Sequence, residues 1–258
     1  MMNSCIKVSA LLVGFLCLLT SCVADRAEQT KVIAHRGYWK CEGSAQNSIR
    51  SLERAAEIGA YGSEFDVHLT ADGVLVVYHD NEIEGKNIQT STYADLKDLT
   101  LSNGETLPTL ESYLERAKSL DKLHLVFQTP ERNHEAAEAS VNLVKKMGLE
   151  DRTDYISFNL DACKAFIRLC PDSKVFYLNG ELSPKELKAL GFAGLDYHYN
   201  VLREHSDWAR ECQELGLQVN VWTVNEEPLM EEMIAWGANY LTTDHPEEAL
   251  ALINKPNK

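Results

Sequence analysis

A chain of 258 residues, 45% of them hydrophobic, suits one large α/β domain or two small ones and can build a sizeable core. Lysine and arginine number 25 against 39 aspartate and glutamate, and the net charge of −14 is spread along the chain, which excludes the basic surface that non-specific nucleic-acid binding needs. A small phosphate compound remains a compatible partner, because one arginine and a metal ion invert the field inside a single pocket.

The first 21 residues read as an export signal. Lys7 precedes an apolar run, Val8 to Leu19, that is too short to span a bilayer as a mature helix. The run closes on Leu19-Thr20-Ser21-Cys22, which resembles the bacterial lipoprotein box. That resemblance implies lipidation of Cys22 and an exported protein tethered to a bacterial membrane, on its periplasmic or outer-surface side. An ordinary cleaved signal with a chance cysteine is the plainer alternative. Residues 22–30 form a polar linker. Of the seven cysteines, Cys41, Cys163, Cys170 and Cys212 fall in the folded part. Cys163 and Cys170 lie roughly 10 Å apart along a predicted helix, too far to bridge, and no Cys/His spacing indicates zinc.

From 31 to 258 the pattern alternates. Strands are predicted at 31–35, 62–67, 74–79, 122–127, 153–157, 174–178, 194–198, 218–222 and 239–243. Helices are predicted at 48–59, 109–119, 131–147, 159–169, 184–190, 201–215 and 226–236. Alternation of this kind calls for a parallel sheet with crossover helices, and at this length a closed (β/α)8 TIM barrel leads. A doubly wound open sheet comes second, without a Gly-x-Gly-x-x-Gly turn to support it. Nine strands exceed eight slots, so 74–79 is read as a hairpin arm folding back on the second strand about Ala71-Asp72-Gly73. If that turn centres on Ala71 and Asp72, Glu64 lies opposite His79, about 5 Å away at Cβ. Residues 81–107 have no core pattern beyond a short helix near 92–98 and read as an excursion over the rim.

Functional side chains of such barrels sit at the C-terminal strand ends. His35 and Arg36 follow the first strand, with Gly37 allowing a tight turn. Glu64 and Asp66 lie two apart on the second strand and so point the same way, offering carboxylates to a hard cation, Mg2+ or Ca2+. His79-Asp80 ends the hairpin arm and supplies a group that exchanges protons near neutrality. An arginine fork, an acid pair and two histidines together suit cleavage of a phosphodiester. His124 reads as a core residue and Glu131 as a helix-start acid. His198 is a candidate for the mouth, while His134, His205 and His245 read as surface or capping residues.

The segments Ala-His-Arg-Gly at 34–37, Gln-Asn-Ser at 46–48, Gly-Ser-Glu-Phe-Asp-Val at 62–67, Thr-Ala-Asp-Gly at 70–73 and Val-Val-Tyr-His-Asp at 76–80 resemble the glycerophosphodiester phosphodiesterase family. The likeness continues through 107–110, 219–225 and 241–244. It implies a (β/α)8 barrel with a small insertion, a divalent cation, and hydrolysis of a glycerophosphodiester to glycerol phosphate and an alcohol. By position it makes His35 and His79 the acid and base, in either order. It assigns Arg36, Asn47 and Trp222 to substrate, and Glu64 and Asp66 to the metal.

Two departures stand out. Gln46 occupies a position where the family usually has glutamate. Where the family carries a Glu-x-Lys pair, the chain reads Leu123-His124-Leu125-Val126-Phe127-Gln128. Aligned residue for residue, Val126 replaces a metal carboxylate and Gln128 a phosphate-facing lysine; a short deletion after Phe127 is the other alignment. Either way one anionic ligand and one cation are lost. The alternatives to a working hydrolase are therefore a phosphodiester-binding pseudoenzyme and a lipoprotein phosphodiesterase of altered substrate range.

Overall fold

The computed structural model describes residues 29–129 and 134–255. The signal, Cys22 and most of the linker lie outside the described residues, as do 130–133, Glu131 included, and the side chain of His134.

The chain alternates strand and helix in the expected way. Its elements are β1 (Lys31–Ala34), α1 (Ile49–Glu57), β2 (Gly62–Leu69), β3 (Leu75–Val77), β4 (Glu82–Ile83), β5 (Lys86–Asn87), α2 (Tyr93–Leu96), α3 (Leu110–Lys118) and β6 (His124–Thr129). They continue through α4 (His134–Met147), β7 (Thr153–Ser157), α5 (Leu160–Leu169), β8 (Val175–Tyr177), α6 (Pro184–Leu190), β9 (Gly194–His198) and α7 (Tyr199–Glu204). The last are α8 (Trp208–Leu215), β10 (Gln218–Trp222), α9 (Glu227–Ala235), β11 (Tyr240–Thr243) and α10 (Pro246–Ile253). Eight strands close a parallel barrel in the order β1-β11-β10-β9-β8-β7-β6-β2 and back to β1. This is the (β/α)8 barrel that the alternation predicts.

Period 2 divides every strand between two cores. Phe65, Val67, Leu125, Phe127, Tyr155, Leu195 and Val219 face outward into one large cluster shared with the helices. Ile33, Val126, Ile156, Phe176, Leu178 and Tyr240 face inward and fill the barrel. At its N-terminal end the Lys174 ammonium donates to the Tyr240 hydroxyl at 2.8 Å, and His124 stacks on Tyr61 beside Asp154. His124 is thus a core residue, as its position one layer below Val126 implies.

Four expectations need correction. The hairpin turn is a three-residue loop centred on Asp72, with Gly73 at φ +83°, because the Thr70 amide donates to the Val74 carbonyl. β3 is short, and the ladder pairs Val67 with Val77 while the Tyr78 amide donates to the Asp66 carbonyl. In this register Glu64 does not oppose His79; an odd loop slips the pairing by one residue. Second, residues 81–107 hold their own apolar cluster, Ile83, Ile88, Leu96 and Leu107 packed on Val76. These side chains come together through turns and short bridges, so no regular period announces them. Third, the helix expected over 201–215 is broken at His205, which leaves helical geometry at φ −125° and stacks on Trp208 at 4.0 Å. Fourth, α10 was not anticipated; Pro246 opens it at the first helical position, where a missing N–H costs nothing.

Candidate active site

The turn after β1 brings backbone and side chains into an unusual arrangement. Arg36 and Gly37 both have positive φ, 57° and 75°. A Cβ at residue 37 would lie 2.7 Å from the Ser51 carbonyl carbon, so only glycine fits against α1. The strained Arg36 backbone turns its amide onto the Glu64 carboxylate, Oε2 accepting at 2.9 Å. Its guanidinium donates from Nη1 to Gln46 Oε1 at 2.7 Å and lies 3.8 Å from Asp66 Oδ2. A neutral carboxamide holds the fork without cancelling its charge.

Glu64 and Asp66 lie within β2, which runs past them into the hairpin; the barrel ladder with β6 ends at Asp66. Both are buried, 2% and 5% exposed. Burial first, and then the charge of Asp66, push the Glu64 carboxyl well above its ordinary range, against the opposing Arg36 amide and guanidinium. One Glu64 oxygen, Oε1, is buried with no hydrogen-bond partner. Asp66 Oδ2 accepts from Asn47 Nδ2 at 2.9 Å and Oδ1 accepts from Gln128 Nε2 at 3.0 Å.

Asn47, which the resemblance assigns to substrate, is fully buried at φ 60°; its Oδ1 accepts from the Asp66 amide and its Nδ2 donates to the Asp66 carboxylate, so it holds that acid in place. Val126 and Gln128 pair with Glu64 and Asp66 in the parallel ladder. Val126 packs in the inner apolar cluster, and Gln128 brings a carboxamide to Asp66.

His35 and His79 both line a small cavity of about 110 Å3 with Arg36, Glu64, Asp66 and Trp222. Each histidine donates from Nδ1 to an aspartate at 2.7 Å, His35 to Asp244 and His79 to Asp80. Nε2 is then the ring nitrogen left for chemistry in both. Asp244 also accepts from Asn225 and Trp39. Burial raises the Asp244 carboxyl, yet these hydrogen bonds and the His35 charge outweigh it and hold the group well below its usual range. A wider cavity of about 890 Å3 opens toward the rim and shares Asp66, His79, Gln128 and Phe158 with the smaller one.

Sequence reasoning missed three residues here. Asp244 orients His35 from 209 residues away. Buried His68, next on the inward face after Asp66, meets the His79 carbonyl at 3.1 Å and props that loop. Asp196 lies inside the barrel with its carboxyl pushed up to about 8 by burial; a single acid among apolar residues of an inward-facing strand was the available signal. His198 does not reach the cavity lining. It packs edge-on to Trp222 at 5.2 Å and supports that wall, while burial lowers its own pKa. His245 caps α10 beside Lys40 and Glu248.

A barrel mouth with two carboxylate-braced histidines, an arginine fork and a buried acid pair defines a phosphoric diester hydrolase. Comparison with known proteins agrees. The model of the Glycerophosphoryl diester phosphodiesterase family matches residues 35–248, and the chain belongs to that family. A crystal structure of a glycerophosphodiester phosphodiesterase from Parabacteroides distasonis is 67% identical, with TM-score 0.86 over 88% of this chain and 97% of that one. An Oleispira antarctica phosphodiesterase in complex with the product sn-glycerol-3-phosphate is 26% identical, with TM-score 0.75 over 88% and 98%. A glycerophosphodiester phosphodiesterase from Caldanaerobacter subterraneus is 29% identical over 248 residues, 88% of this chain and 99% of its own length.

Proposed function

We propose that the protein hydrolyses glycerophosphodiesters to glycerol phosphate and an alcohol with the help of a divalent cation. The observation that carries this is the acid-rich lining of the smaller cavity. Glu64, Asp66 and Asp196 line it against one guanidinium, Arg36, and the two titratable histidines, and Glu64 Oε1 is buried without a partner. A phosphate anion enters such a pocket only with a cation to offset the acids. Glu64 and Asp66 are hard oxygen donors suited to Mg2+ or Ca2+, and rotation of the Gln128 carboxamide would add its oxygen. The bound cation supplies positive charge to the phosphate oxygens.

The chain's own residues do the rest. Arg36 holds the phosphate, which lies where the two cavities meet at Asp66, His79 and Gln128. The glycerol arm packs against Trp222 and Phe158, whose rings meet edge-on at 5.5 Å. The alcohol arm fits the wider cavity. The Oleispira phosphodiesterase in complex with the product sn-glycerol-3-phosphate supports glycerol phosphate as the product. One histidine takes a proton at Nε2 from the attacking oxygen while the other gives one to the leaving oxygen. The ester P–O bond breaks as the new P–O bond forms, and the proton balance is kept between the two rings.

Hydrolysis of glycerophosphoethanolamine with added Mg2+ or Ca2+ tests this. His35→Ala and His79→Ala are each expected to lower kcat by about 10^2- to 10^4-fold. Ligand binding without turnover at any cation concentration would replace the hydrolase with the pseudoenzyme alternative.

The same proposal includes export and anchoring through Cys22, supported by the apolar run and Leu19-Thr20-Ser21-Cys22. A lipid on Cys22 would be the tether. In cells fed labelled palmitate, the wild type should take up label in the membrane fraction and Cys22→Ser should not.

A further inference from the structure

The loss of the β6 carboxylate at Val126 leaves Glu64 and Asp66 one anion short, and the opposite wall of the barrel carries an acid with no assigned role. Glu64, Ile156, Asp196 and Thr242 all line the smaller cavity. They come from β2, β7, β9 and β11, alternate strands of the closed sheet, and the registers bring them to one layer, the arrangement by which such barrels fill their interior. In that closed order β2 and β9 stand four strands apart in either direction. Glu64 and Asp196 therefore face each other across the barrel axis.

Each also has an unmet need. Glu64 Oε1 and Asp196 Oδ1 are both buried without hydrogen-bond partners, in residues 2% and 1% exposed. Two facing buried carboxylates with idle oxygens are costly unless they hold a proton or a cation lies between them. The cavity of about 110 Å3 that both line is large enough to admit a cation. Asn220 hydrogen-bonds the Asp196 carboxyl and itself accepts from Thr242 at 3.1 Å, which leaves the other Asp196 oxygen for a ligand.

We infer, on the metal-dependent reading above, that Asp196 is the third carboxylate of the divalent-cation site, reaching Glu64 and Asp66 from the opposite wall in place of the acid missing at Val126. Among the described residues no three His, Cys, Asp or Glu side chains are already gathered at ligand distances. A bound cation would draw the carboxylates together, directly or through a bound water.

Mn2+ binding followed by electron paramagnetic resonance and titration calorimetry on the purified protein tests the inference without reference to turnover. The wild type should bind one Mn2+, and Asp196→Asn should bind it at least tenfold more weakly while circular dichroism stays unchanged. Adding Val126→Glu to Asp196→Asn returns a carboxylate to the β6 position and should recover most of the affinity. Asp196→Ser, with the same expected loss, serves if the asparagine variant does not fold. Equal Mn2+ affinity in wild type and Asp196 variants would overturn the role of Asp196 and leave metal dependence standing. No Mn2+ binding by the wild type would overturn the metal-dependent reading and the role of Asp196 with it.

Discussion

Asparagine at position 196 keeps the shape of the side chain and removes its titration, so the metal-free protein should respond to pH in a defined way. Burial raises the Asp196 carboxyl from 3.8 in the unfolded chain to about 8 in the folded one. A raised folded pKa means that the native state holds a proton which the unfolded state gives up. The contribution to stability is therefore complete below about pH 4 and is lost progressively as pH rises to about 8. Each unit is worth about 1.4 kcal/mol, and a span of about four units amounts to about 6 kcal/mol. Water entering the cavity to meet the charge reduces this, and about 3 kcal/mol is expected at pH 8. Asp196→Asn should thus match the wild type near pH 4 and gain on it steadily up to pH 8, with no further gain above pH 9. Urea unfolding of both proteins in EDTA, at matched pH from 5 to 9, measures the difference, and titrations common to both cancel. The gain should shrink when Mn2+ is added, because a cation offsets the same charge. A gain of equal size at pH 5 and pH 8 would refute the argument that desolvation of a carboxylate is its source.

Gly37→Ala should destabilise the protein by at least about 2 kcal/mol in thermal or urea unfolding, since the new Cβ meets Ser51 and φ +75° is strained for alanine. It should lower activity as well, because the same turn aims the Arg36 amide at Glu64. Asp244→Asn should lower kcat by about 10^2- to 10^4-fold with little change in KM, the scale set by losing the carboxylate that orients a catalytic histidine. Asp80→Asn should do less, since Asp80 is 69% exposed and water competes for the same ring nitrogen.

Much of the site was legible because its logic is short-range. Alternating β and α periods specify a parallel barrel, and residues two apart on a strand share a face, so Glu64 and Asp66 were bound to stand together. His35-Arg36-Gly37 and His79-Asp80 announce themselves as polar groups at strand ends. The missing pair at Val126 and Gln128 was legible too, and the ladder sets those residues beside the two acids.

What lay beyond reading depends on how distant strands meet. The hairpin register turned on whether the loop held two or three residues, a choice settled by hydrogen bonds of Thr70 to Val74 and Asp72. The contact of Asn47 with Asp66 followed from a positive φ that sets its carboxamide against that acid. Asp244 braces His35 only because the last strand closes against the first. Asp196 acquires a meaning only once the sheet is closed, since the stagger of eight strands decides which inward side chains share a layer. Periodicity along the chain determines which face a residue takes; closure of the barrel determines what it faces.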